Sequence, residues 1–123
     1  MISFSLIVVR AAKVEAALSF YSALGLTFVQ EQHGSGPIHH SCTLGNVTME
    51  IYPLKAGAEF QPDTSTMIGF GVASLDETLA DLAKLGVAPK SAPKNSEWGL
   101  WVNVIDPDNR VVQLHEKIQT HIE

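Results

Sequence analysis

Several side chains in this chain are of the types that carry chemistry. Glu50 is a single carboxylate inside the apolar, β-branched run "VTMEIY" (47–52), where such a group either faces water or belongs to a site. His39 and His40 stand shortly before it, and Trp98, Trp101, Asn103, Gln113 and His115 lie toward the other end. Imidazole and carboxylate are the groups of general acid–base work and of divalent-metal ligation. Indoles offer flat apolar surfaces on which planar or cationic molecules stack. The single cysteine, Cys42, excludes an internal disulfide and a CxxC metal site.

Which of these groups can act together depends on the strands that hold them. "IHHSCTL" and "VTMEIY" flank Gly45-Asn46, a two-residue link of the hairpin kind. That link pairs Leu44 with Val47, Thr43 with Thr48, Ser41 with Glu50 and His39 with Tyr52. Alternation then puts His39, Ser41, Glu50 and Tyr52 on one polar face. Cys42, Leu44, Val47, Met49 and Ile51, joined by His40, make an apolar face for a helix to cover. His39 and His40 point opposite ways and cannot chelate one ion. An enclosed Glu50 with no metal needs a partner, and Ser41 and His39 are placed to supply one.

A second pair of strands, "GLWVNVI" (99–105) and "RVVQLHE" (110–116), is joined by the turn "DPDN" (106–109). Leu100, Val102, Val104, Val112 and Leu114 share one face, leaving Trp101, Asn103, Ile105, Val111, Gln113 and His115 on the other. A mixed aromatic and polar face suits the lining of a concave ligand site better than plain solvent. Trp98 is expected at a rim or a subunit contact, and His33 and His121 in solvent.

Around these hairpins the grammar repeats. "FSLIVVR" (4–10) reads as a strand, and Val14, Ala17, Leu18, Tyr21 and Leu24 follow helical spacing up to Gly25. "LTFVQEQ" (26–32) reads as a strand, and "PLKAGAEFQPDTST" (53–66) as a linker. "MIGFGVA" (67–73) is again a strand. Ser74 and Glu77 form a capping box before a helix with Leu75, Leu79 and Leu82 on one side, ending at Leu85-Gly86. A proline- and lysine-rich loop follows. The pattern predicts an α+β domain over residues 1–123, built of two βαβββ modules at about 1–54 and about 66–118. One half alone could not bury its apolar face.

Composition narrows the partners. Net charge is −5 with only eight Lys and Arg, which excludes the basic stripe that nucleic acid or an anionic membrane requires. The opening "MISFSLIVV" lacks a basic flank and a small-residue cleavage site, so it reads as a strand. No apolar run approaches the roughly 20 residues of a spanning helix. The expected setting is reduced and cytoplasmic.

The repeated order, together with "VEAALSFYSALGL" and "VNVIDPDNRVVQLHE", resembles the vicinal oxygen chelate superfamily, the group of glyoxalase I, bleomycin-resistance proteins and extradiol dioxygenases. The resemblance implies an incompletely closed eight-stranded cup with helices outside, and a homodimer. It also implies metal-ligand positions at Leu6, Glu50, Met67 and Gln113. Leu6 cannot bind a metal, and the Met67 thioether is a poor partner for hard or borderline ions. The resemblance therefore leads to an expectation of no metal and no cofactor. The function expected is binding of a small, partly aromatic or cationic molecule by His39, Ser41, Glu50, Tyr52, Met67, Trp101, Asn103, Gln113 and His115. The alternative is a lyase, isomerase or dioxygenase of the same superfamily, with Glu50 as metal ligand or general base. A module without a small ligand, serving as a subunit of something larger, is the third possibility.

Overall fold

A computed structural model describes residues 1–117, the side chain of Lys117 apart, so His121 and the far end of the second module lie outside the described residues. The first module runs β1 (Leu6–Ala11), α1 (Val14–Ala23), β2 (Val29–Glu31), β3 (His39–Leu44) and β4 (Val47–Pro53). The second runs β5 (Met67–Val72), α2 (Leu75–Ala83), β6 (Lys94–Ser96), β7 (Gly99–Ile105) and β8 (Val111–Lys117). The eight strands form two four-stranded sheets, ordered β1-β4-β3-β2 and β5-β8-β7-β6. In each, the first strand crosses over through the helix and pairs in parallel with the last.

The β3–β4 register is the one that the Gly45-Asn46 link dictates, with Ser41 opposite Glu50 and Leu44 opposite Val47. Gly45 alone takes a positive φ, 57°, as the first central residue of a type II′ turn does. β7 and β8 pair with Trp101 opposite His115 and Asn103 opposite Gln113. Two strands differ from expectation. β2 covers only the end of the 26–32 run, because Leu26 is buried in the core ahead of it. β6 lies inside the lysine-rich loop, where three polar residues pair with β7 along an edge.

The apolar faces do meet the helices. Cys42, Met49 and Ile51 are buried beside Ala17, Phe20 and Tyr21, and Val102, Val104, Val112 and Leu114 beside Leu75 and Leu82. Each large aliphatic side chain so enclosed stabilises the fold by about 1.5–3 kcal/mol. Leu44 is the exception on its face, exposed at the hairpin tip. Ser74 caps α2, its Oγ accepting from the Glu77 amide at 3.2 Å, and the Leu75 amide donates to Glu116 of β8 at 2.8 Å. Among the described residues no helix is long and apolar enough to cross a membrane.

The "DPDN" segment is a turn, as expected, and it is also a buried polar junction. Asp106 accepts from the Tyr21 hydroxyl at 2.6 Å, from the amides of Asp108 and Arg110 at 2.8 and 2.9 Å, and from Arg110 Nη1 at 3.1 Å. Asp108 accepts from the Ala12 amide at 2.9 Å. Arg110 donates to Asp63 at 3.0 Å and to the Arg10 carbonyl. Both modules and the linker meet at this point.

Candidate functional site

Two groups of candidate side chains come together, one on each sheet. On the first, β1, β4 and β3 lie side by side, so Arg10 pairs with Tyr52 and His39 flanks Tyr52 from the other strand. The Arg10 guanidinium lies 5.0 Å from the centroid of the Tyr52 ring. The His39 ring stacks on Tyr52 at 4.2 Å with planes 5° apart, and His33 lies 5.0 Å beyond. His39 is thereby 1% exposed, the most enclosed of the candidates. Its Nδ1 lies 3.2 Å from the Pro37 carbonyl.

Glu50 does share that face. Its side chain is 16% exposed and its Oε2 lies 3.7 Å from His39 Nε2. Glu31, the residue paired with His39 on β2, approaches the same nitrogen at 3.4 Å. Sequence reasoning does not single out Glu31; it pairs with His39 only through the β2–β3 register, across the glycine-containing loop that separates them. Ser41 stands opposite Glu50, half-buried. Leu6 and Val8 lie on this face too, exposed, with Val8 directly beside Glu50.

On the second sheet, Trp101, Gln113 and His115 line a concavity of ≈ 370 Å³ together with Ser96 and Trp98. Its residues come from β6, the turn that follows it, β7 and β8, so the strand that the sequence hides supplies part of the wall. The Lys94 ammonium lies 5.6 Å from the Trp101 ring. Asn103, opposite Gln113, has a buried Oδ1 with no hydrogen-bond partner. Gly71 sits beside His115, and a Cβ there would stand 3.2 Å from the imidazole, so the glycine makes room for that ring. Met67, expected to line the site, is 55% exposed on β5. Among the described residues, no side-chain hydrogen bond, ion pair or ring contact joins this group to the Glu50 group.

The four positions that a relative's metal would use do not fit one here. A leucine and a thioether offer no suitable donor, and a single carboxylate with one amide leaves a divalent ion without enough ligands. Cys42 is buried in the apolar core, away from either group.

Solved structures with this fold are numerous. TnmS3, an antibiotic binding protein from Streptomyces sp. CB03234, is 22% identical, with 96% of this chain and 98% of that chain covered and a TM-score of 0.73. A glyoxylase/bleomycin resistance protein/dioxygenase domain from Frankia sp. EAN1pec is 16% identical, covers 96% and 99%, and has a TM-score of 0.74. A glyoxalase/bleomycin resistance protein from Streptomyces sp. CB03234 is 24% identical, covers 92% and 99%, and has a TM-score of 0.68. At these identities the likeness is one of fold. No curated protein matches the sequence. Residues 3–114 match the Glyoxalase/Bleomycin resistance protein/Dioxygenase superfamily, and with both βαβββ modules in place the chain belongs to that superfamily.

Proposed function

We propose that the protein binds a small, partly aromatic or cationic molecule, using the exposed faces of its two sheets and no metal at the four family positions. The observation that carries this reading is the ≈ 370 Å³ concavity between Trp98, Trp101, Gln113 and His115. Its volume falls in the range of about 300–1,000 Å³ typical of small-molecule sites. Two indoles provide flat contact area, while an amide and an imidazole can fix orientation. Glu50, His39, Ser41 and Tyr52 offer a complementary set on the other sheet, with Glu50 suited to a cationic group. The name of TnmS3, an antibiotic binding protein of the same fold, supports a binding role.

The reading includes a second copy of the chain. Leu6, Val8 and Met67 are apolar and 49%, 40% and 55% exposed on the very faces that would hold the ligand. Among the described residues neither face is closed over by the chain itself, and a homodimer would wall them in.

Tryptophan fluorescence provides the test. A panel of planar aromatic probes, cationic and neutral, is titrated against the native protein and the Trp101→Ala variant. At least one probe is expected to shift the emission saturably, with affinity in the variant lower by about 10-fold, the worth of one stacking contact of roughly 1.4 kcal/mol. A panel that leaves native emission unchanged, or binds the variant equally well, would overturn the proposal.

A further inference from the structure

From the first sheet we infer that Glu31, His33 and His39 form a binding site for a divalent transition metal of the zinc, nickel or cobalt type. None of the three occupies a position at which the family resemblance places a ligand, and of the residues in the binding proposal above only His39 is shared.

The argument begins with one nitrogen. His39 is buried, and its Nδ1 hydrogen bond to the Pro37 carbonyl assigns the proton to Nδ1. In the neutral ring this leaves the lone pair on Nε2, and Nε2 has no hydrogen-bond partner. It faces Glu31 Oε1 at 3.4 Å and Glu50 Oε2 at 3.7 Å. Two carboxylates beside that nitrogen call for a positive charge among them, either a second proton on the ring or a bound cation. The 3.4 Å separation is long for a charge-assisted hydrogen bond, yet it equals the donor–donor edge of about 3.4 Å in a tetrahedron with bonds near 2.1 Å.

The third donor is supplied by the loop. One ligand atom each from Glu31, His33 and His39 lie within 4.8 Å of one another. The turn after His33, closed by the Gly36 amide on the His33 carbonyl at 3.0 Å and by Gln32 on the Gly36 carbonyl at 2.9 Å, brings His33 back against His39. Two imidazoles and a carboxylate are a donor set for borderline ions rather than for calcium or magnesium. The Pro37 carbonyl orients His39 as backbone carbonyls orient metal-binding histidines elsewhere. Glu31 and His33 lie at the surface, which leaves an ion a path in.

Chelator-stripped full-length protein titrated with Zn²⁺ and Co²⁺ alone tests this, read by calorimetric stoichiometry and by the visible absorption of Co²⁺. One ion per chain is expected, with affinity lowered at least about 10-fold in both Glu31→Gln and His33→Ala and unchanged in Gln113→Ala. These substitutions sit on exposed or half-exposed positions, so folding, checked by circular dichroism, is retained where His39→Ala could lose it. Absence of binding at micromolar metal would overturn the inference. So would one ion held equally well by the Glu31→Gln/His33→Ala double variant. Neither result bears on the tryptophan titration.

Discussion

The Tyr21 hydroxyl donates to Asp106 across 85 residues of chain, between side chains that are both shielded from water. Burial, and then the charge of Asp106, push the Tyr21 phenol well above its ordinary value. Because the folded-state value is raised, the stability linked to this proton is complete below the unfolded value of about 10 and declines as pH rises beyond it. A hydrogen bond to a buried carboxylate contributes about 1.5–3 kcal/mol, so Tyr21→Phe is expected to lower unfolding free energy by that amount in urea titrations. The variant should also lose part of the alkaline sensitivity above about pH 10. Helical spacing identifies Tyr21 as a core residue, but nothing in the sequence identifies its partner. "DPDN" has all the chemistry that a tight turn requires, and that local sufficiency hides the longer-range role of Asp106. The pairing of Tyr21 with Asp106 gives a physical reason for the two motifs that carry the family resemblance to occur in the same chain.

At the scale of elements, short-range chemistry is what the sequence displays well. A two-residue glycine link fixes a register within a few bonds of itself, so the polar face of β3 and β4 is legible from residue order. The face of β7 and β8 follows from alternation alone. β6 is hidden because Lys94, Asn95 and Ser96 show neither alternation nor β-branched residues; an edge strand is held by its neighbour rather than by its own preference. The proximity of Glu31 to His39 is hidden for a related reason, since it depends on where β2 begins and how the loop returns. The capping residue of α2 is legible, and it has a measurable worth: Ser74→Ala removes the acceptor for the Glu77 amide and is expected to cost about 1 kcal/mol in thermal unfolding. The first helix has no such side-chain cap at Lys13, so its start rests on packing and on the adjacent tie from Ala12 to Asp108.

At the scale of the molecule, the duplication is readable from element order, whereas the way the halves are joined is not. The two sheets end in edge strands, β1 and β5, each with exposed apolar side chains on the face that carries candidate binding residues. A homodimer is expected to show a mass of twice 13.3 kDa by light scattering at micromolar concentration, and a 13.3 kDa species would remove the second copy from the proposed function. The junction at Asp106, Asp108 and Arg110 has a further consequence, one of timing. Its bonds to Tyr21, Ala12 and Arg10 span 85, 96 and 100 residues. During synthesis the first helix is therefore made before the partner of its phenol, which is left to hydrogen-bond with water until the second module is available. The enclosed state of the first half thus requires the second, and a chain truncated in the linker is expected to be cleaved by protease faster than the full-length protein.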